Sequence, residues 1–450
     1  MSGITTTRFR PDRPTAVLLA SLFLVMVGYG STLTVLPDHI QRVGGLGAAA
    51  GSVAFHVGLI VGVYALAGLL ASPTLGRLGD RWGRRPMLLA GLGGLAATQV
   101  LFGLSTSLWM LYPLRLLGGF ADASLLVTAS AYIADTTSDR DRARGMAWFG
   151  TAISLGLVAG PALTGLLTGS NIEIGGGIVH LDAHSIPFLF SGLLAASVLA
   201  LAGRHLPNST PVRPKAHFRS TRHQGGLRPV LTMTGPLLLL VFAAQYGLAI
   251  FEGIFVLYAR DRLSLTLAQI ALAFMVCSAV LAVQLPAVAW LSTRVSAVTQ
   301  VAVGFASMGA SLAGLLAAGP FPLVLAMAAA HGAGGAVVMP NLTALVSSRT
   351  RSGAGFALGL KNSASGLGQF FGPLIGGSLI GVRTELPFLL AGTLLMGIAV
   401  TVPRALVSGQ SNSPSLRRPD RVSTREVVPR LPSSGRVAPP GALATDQSRA

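Results

Sequence analysis

Charge is scarce in this chain. Only 11% of its 450 residues are Asp, Glu, Lys or Arg, against roughly 25% in soluble domains, too few to cover a water-facing surface of this size. That disfavours an assembly of soluble globular domains. Acids are scarcer still, 15 against 33 Lys and Arg, for a net charge of +18. Such a balance raises nucleic acid as a partner, yet the arginines cluster between apolar runs, as they do along a membrane surface. No nucleic-acid partner is expected. The single cysteine, Cys277, rules out an intrachain disulfide and reads as a small buried hydrophobe in a helix. No G-x-x-x-x-G-K-[ST] loop occurs, so ATP-driven transport lacks its phosphate cradle, and without H-E-x-x-H or C-x-x-C a metal site has no support. The chain is read as a non-enzyme without a cofactor.

What is abundant is apolar sequence, 51% of the chain, and glycine, 56 residues. Arg8, Arg10 and Arg13 precede a run from Ala16 to Leu36. A secretory apolar core spans ~7–15 residues and a membrane helix about 20, so this run is read as a retained first span. Twelve such runs follow one another, at roughly 15–37, 52–75, 86–105, 108–133, 145–169, 186–203, 236–259, 265–291, 297–318, 321–347, 355–381 and 385–407. Gly, Ala, Ser and Thr at helical spacing let such helices pack closely in lipid. Arg77, Arg81, Arg84, Arg85, Arg140, Arg142 and Arg144 fall in alternate loops, on the same side as the basic termini, whereas the opposite loops hold only Arg42, Arg260, Arg262 and Arg383. This bias predicts a multi-pass cell-membrane protein with both termini in the cytoplasm. The expected organisation is an N-terminal tail (1–14), a six-helix bundle (15–203), a basic linker (204–235), a second six-helix bundle (236–408) and a disordered tail (409–450).

Residues 156–165 read GLVAGPALTG and residues 368–377 read GQFFGPLIGG. Both fit G-x-x-x-G-P-x-x-[TG]-G, so each half carries the same glycine–proline helix, the mark of a duplicated bundle. Between the second and third spans, Gly76 to Arg85 read GRLGDRWGRR. Glycines at 76, 79 and 83 permit a sharp turn, and Asp80 precedes Arg84 in the favourable i,i+4 order. Asp135 ends the fourth span. Within that span stand Arg115, in Leu111-x-x-x-Arg115-x-x-x-Gly119, and Asp122 seven residues on, hence on nearly the same face. Glu252 lies in the seventh span after Gln245 and Tyr246. Ionisable groups inside a membrane are costly and by default functional candidates. The bland alternatives are snorkelling for Arg115 and a permanent Arg115–Asp122 pair. His331 on the tenth span is the side chain that titrates near neutral pH, with helix packing as its alternative. His56 reads as structural, Lys361 as snorkelling, and Trp109, Tyr112, Trp148 and Trp290 as an aromatic belt.

These motifs resemble those of the proton-coupled drug antiporters of the major facilitator superfamily, in particular the tetracycline-type antiporters. The likeness covers about residues 15–405. It implies an all-α fold of twelve transmembrane helices in two pseudo-symmetric six-helix bundles around a midplane site. It implies a conformational latch of Gly76, Gly79, Asp80, Arg81, Gly83, Arg84 and Asp135, and proton or substrate coupling through Asp122, Arg115 and Glu252. Gln245, Tyr246 and His331 are then cavity candidates. The glycine–proline helix (Gly156, Gly160, Pro161, Gly165, echoed by Gly372 and Pro373) is the antiporter motif, with Thr164 in place of one glycine. Gly160 is expected to tolerate alanine and to reject leucine. Gly118 replaces the usual glutamine after the arginine. The third span offers Thr98 and Gln99 where the tetracycline relatives carry an acid, and the ninth has no acid, which counts against tetracycline itself.

The expected partners are the bilayer, a small lipophilic or drug-like substrate and protons, with a functional monomer driven by the proton gradient. A nutrient-importing facilitator or symporter is the rival, and the fifth-helix motif opposes it. A non-transporting sensor would need no midplane acids.

Overall fold

The computed structural model describes residues 12–45, 50–137, 142–168, 174–175, 180–181, 185–207, 227–283, 291, 293–349 and 354–411. Twelve α-helices run through them: α1 (Arg13–Gly44), α2 (Ala50–Trp82), α3 (Arg84–Gly103), α4 (Leu108–Thr136), α5 (Arg142–Thr168), α6 (Ile186–His205), α7 (Leu227–Asp261), α8 (Leu267–Val283), α9 (Ala297–Leu315), α10 (Phe321–Arg349), α11 (Ala354–Ile380) and α12 (Leu386–Ser411). Among the described residues ten of these helices, all but α8 and α11, are long and apolar enough to cross a membrane, and α8 adds a shorter apolar stretch. The protein is a multi-pass membrane protein. The described residues up to Leu406 form one compact unit, and 407–411 are described as the last turn of α12.

Six helices (α1, α2, α3, α5, α7 and α11) begin one to nine residues before their apolar runs, and the other six begin within two residues of the run's first residue. Polar residues cap several of these starts. Asp12 accepts the Thr15 N–H at 3.2 Å ahead of α1, with Pro14 in its first turn. Ser296 does the same for Thr299 ahead of α9. The helix α7 starts at Leu227, inside the predicted linker, while 208–226, Trp290 and 412–450 lie outside the described residues. Between α5 and α6, β1 (Ile174–Gly175) and β2 (His180–Leu181) pair antiparallel, a two-residue ribbon that hydropathy did not foretell.

The two sets of six helices pack alike. The pairings α1–α5, α2–α4 and α3–α4 recur as α7–α11, α8–α10 and α9–α10. Close approach at glycines holds these pairs. A Cβ added to Gly304 of α9 would stand 3.0 Å from the Gly334 carbonyl of α10, and one added to Gly91 of α3 2.9 Å from the Ala121 carbonyl of α4. The helix α6 lies on α1 and α3, and α12 on α9, where Gly309 and Gly392 touch.

Across the halves the main pairings are α2–α11 and α5–α8, with lesser contacts of α1 and α2 on α7. Taking the end where α2 passes to α3 as the hairpin face, these contacts run from the middle of the bundle to the opposite, far face. Gly366 meets Leu69 at mid-depth, Gly62 meets Phe370, Gly58 meets Pro373 and Gly377, and Gly51 meets Gly381 at the far end. There Arg260 of α7 also pairs with Asp38 of α1, with Nη2 to Oδ2 at 2.6 Å.

The apolar core is unequal between halves. In the second half one continuous cluster runs through α7 to α12, from Leu237 to Val402. The first half has two. One gathers Leu22, Leu88, Leu125 and Ile133 toward the hairpin face, and the other Leu36, Ile60, Phe102 and Phe188 toward the far face.

Candidate functional site

The seam between the two first-half clusters is polar, and Arg115 lies in it. Arg115 sits two turns inside α4 and is 5% exposed, so it does not snorkel to the headgroups. Its guanidinium lies over the Phe102 ring at 4.6 Å and the Tyr64 ring at 5.5 Å. A desolvated contact of this kind is worth about 2 kcal/mol. Nε and Nη2 are nonetheless buried without a hydrogen-bond partner. The surrounding cavity, about 450 Å³ of empty space with open water at its mouth included, is lined by α1, α2, α3, α4 and α6, among them Tyr29, Thr98, Gln99, Gly118 and Ser191. Gly118, which replaces the family's glutamine, faces the Tyr64 ring and the Thr98 hydroxyl.

Asp122 does not pair with Arg115. The spacing of seven sets both on one face of α4, but Tyr64 from α2 enters between them: its ring underlies the guanidinium and its side chain reaches the Asp122 carboxyl. Oδ1 of Asp122 is sealed from solvent and has no partner. The permanent ion pair is thus absent from this conformation, because α2 packs on α4 through Gly119, where an added Cβ would meet Ala67 at 2.9 Å. Tyr29 extends the cluster, its ring 5.6 Å from that of Tyr64.

Glu252 lines a second cavity, about 410 Å³ counted the same way. Its walls are Ser154 and Leu157 of α5, Leu248 and Phe251 of α7, Phe274, Cys277, Ser278 and Leu281 of α8, and His331 of α10. This is a site between the halves, since α5 belongs to the first and the others to the second. His331 is fully buried, stacked on Phe251 at 5.0 Å with Nδ1 3.0 Å from the Ser311 hydroxyl. Gln245 and Tyr246 are not among the walls of this cavity. Gln245 accepts from the Ser365 hydroxyl at 3.1 Å, and Tyr246 is buried beside Phe242, its backbone against Gly368 and Gly372.

At the hairpin face Arg84 holds two carboxylates, Asp80 at 2.7 Å and Asp135 at 3.1 Å. The turn depends on Gly83, whose φ of 94° is left-handed backbone that favours glycine. Gly79 leaves room for the guanidinium, 3.1 Å from where its Cβ would stand. Arg85 donates to the Gly203 carbonyl at 2.5 Å, tying α3 to α6. Arg81 is exposed, and Gly76 faces Val127 at ordinary contact distance. All three members of the charge network belong to the first half.

The two glycine–proline helices hold equivalent places. On α5, a Cβ at Gly156 would stand 2.5 Å from the Met26 Cβ, and one at Gly160 would stand 2.5 Å from the Val27 carbonyl and 2.7 Å from the Ser31 nitrogen, both on α1. The neighbours of Gly160 are backbone and cannot swing aside, and the Met26 Cβ is fixed to its own backbone. Thr164 bonds Ser31 at 2.6 Å, so the departure from glycine adds a contact to the same interface. On α11, Gly368 and Gly372 approach α7 in the same way, at 2.5 Å from the Phe242 carbonyl and 3.0 Å from the Tyr246 carbonyl. The Pro373 carbonyl lies against Gly58 of α2 while its ring lies against Gly253 of α7, whereas Gly165 lies against Ala268 and Ala271 of α8 at ordinary distance. Among the described residues no cluster of His, Cys, Asp and Glu could hold a metal ion.

Tyr64, Tyr29 and Phe102 were not foreseen, nor was the Asp38–Arg260 pair. A buried arginine demands rings or acids, but its own helix does not say which helix supplies them.

The sequence profile of the Major Facilitator Superfamily matches residues 18–321 and, overlapping, 237–437. The chain is similar to multidrug resistance protein 1 of Bacillus subtilis, 27% identical over 391 residues, which cover 86% of this chain and 95% of that protein. It is 32% identical over 372 residues to the class G tetracycline resistance protein of Vibrio anguillarum, covering 80% and 88%. Among solved structures, the human organic anion transporter MFSD10 aligns with a TM-score of 0.63 at 21% identity, covering 88% of this chain and all of that one. A peptide transporter of the POT family aligns at 0.71 and 14%, covering 89% and 96%. At those identities the structures speak for the fold alone.

Proposed function

The chain belongs to the major facilitator superfamily, and on that footing we propose that this transporter is a proton-driven exporter of small, lipophilic, drug-like molecules. The observation that carries the reading is the pair of membrane-embedded carboxyls, one in each half, neither held in an ion pair among the described residues. Glu252 faces a cavity walled by both halves, and Asp122 keeps a sealed, unpartnered oxygen beside Tyr64. Groups so placed can take up and release a proton as their surroundings change between two conformations. The resistance proteins among the relatives support export as the direction.

The hairpin face, with its arginines, is assigned to the cytoplasm together with both termini. The present conformation then meets the outside closed, through α2–α11, α5–α8 and Asp38–Arg260. In the cycle, substrate enters from the cytoplasm while the carboxyls are ionised. The halves rock about the midplane, protons from outside neutralise the carboxyls as substrate leaves, and their release inside resets the site. In this scheme the Asp80–Arg84–Asp135 network braces the α2–α3 turn against α4 so that the first half moves as a body.

Purified protein in liposomes tests this. With a panel of fluorescent lipophilic acids, zwitterions and cations, at least one should move against an imposed proton gradient and release protons in exchange. Movement of substrate together with protons, or with no response to the gradient, would overturn export in favour of import.

A further inference from the structure

Arg115 lines the cavity inside the first six helices, and its charge cannot be shed to escape burial. Phe102 and Tyr64 cover the faces of the guanidinium. The edge is unused. Nε and Nη2, both buried and unpartnered, direct their N–H bonds side by side in the guanidinium plane, the fork that receives the two oxygens of a carboxylate. The remaining polar lining is neutral. The hydroxyls of Thr98 and Ser191 already donate to the carbonyls of Gly94 and Pro187, and the amide nitrogen of Gln99 donates to Thr32. Among the described residues no acid lines this cavity; the Asp122 carboxyl meets the side chain of Tyr64. Val25, Leu95 and Leu114 supply an apolar wall beside the cation.

We propose that this cavity takes a carboxylate of the transported molecule, its two oxygens on Nε and Nη2 of Arg115. The substrates are then lipophilic organic acids or zwitterions rather than simple cations. The word transported rests on the exporter reading; the carboxylate site does not. A buried cation without a counter-charge is costly, so an anion seated on it is favoured, and a flat aromatic acid satisfies both the fork and the apolar wall.

Thermal unfolding of the purified full-length protein in lipid nanodiscs reads the site with benzoate and with benzamide, which share a ring and differ in charge. Benzoate should raise the unfolding temperature and benzamide should not. In Arg115→Gln the benzoate effect should vanish, with affinity at least about tenfold weaker, as expected when a bidentate charged contact is lost. Arg115→Lys, which keeps the charge without the fork, should retain a weakened response. Equal effects of benzoate and benzamide on the wild type, which need no variant to fold, would overturn the site. So would a benzoate effect that survives in Arg115→Gln. If acetate or chloride alone gives the full benzoate effect, the site binds free small anions and its link to transported molecules fails. Proton-driven export of a cationic dye with no response to benzoate would sink this inference and leave the exporter standing. Benzoate binding by a protein that moves no compound against protons would do the reverse.

Discussion

Asp122 and Glu252 differ in what surrounds them, and the difference separates their roles. Glu252 opens on a cavity walled by both halves, whereas Asp122 is enclosed with Tyr64 in the first half. Asp122→Asn and Glu252→Gln are close to isosteric, so both proteins should reach the membrane in near-normal amounts. Glu252→Gln should abolish proton release on substrate addition. Asp122→Asn should lose active export while leaving substrate binding intact. Proton release measured on detergent-solubilised protein distinguishes them, and an unchanged pH dependence of export in Asp122→Asn would make that acid structural. Both acids were legible because an acid in an apolar run stands out. Their environments were not. A spacing of seven puts Arg115 and Asp122 on one face of α4, yet the ring that parts them comes from α2, some fifty residues earlier in the chain.

Among elements, the glycine–proline helices carried the clearest sequence signal, and the structure sharpens what it means. The repeat announces close packing without naming the partner, and α5 proves to be clamped on α1. The expectation that alanine would pass at Gly160 meets a difficulty: even its Cβ would stand 2.5 Å from the Val27 carbonyl and 2.7 Å from the Ser31 nitrogen. Overpacking of this kind costs about 1–3 kcal/mol. Gly160→Ala should therefore lower the unfolding temperature and cut export severely, and Gly160→Leu should abolish export. At Gly165 the neighbours stand at 3.6 Å and beyond, so Gly165→Ala should keep near-normal export and stability. Unfolding midpoints and initial export rates for the three variants test the series. Wild-type behaviour of Gly160→Ala would show that α1 and α5 separate more easily than the backbone contacts allow.

For the whole molecule the question is which face is shut. Hydropathy was enough to read twelve helices, since burial in lipid demands long apolar runs, and the repeated glycine–proline motif was enough to read the likeness of the two halves. The Asp38–Arg260 pair was not readable, because the two residues lie on different helices of different halves and neither falls in a recurring motif. Asp38 is 12% exposed at its side chain and Arg260 32%, so the pair is worth about 1–2 kcal/mol, between surface and buried values. That suffices to move a two-state equilibrium about tenfold. Asp38→Arg should raise the labelling of cysteines placed at the far face and slow export. The exchange Asp38→Arg with Arg260→Asp should restore both. If the exchanged protein labels like the single variant, the pair plays no part in closure.

The divided core of the first half has a mechanical consequence. In the second half one apolar cluster spans α7 to α12, so those helices share a single block of contacts and resist load together. In the first half the seam around Arg115 interrupts that block, and the layer holding Leu22, Leu88 and Leu125 can part from the layer holding Leu36, Ile60 and Phe188 at a smaller force. Drawn from a membrane by the tip of a force microscope, the second half should resist as one stiff body. The first should yield in two stages, with the break falling where α4 passes Gly118.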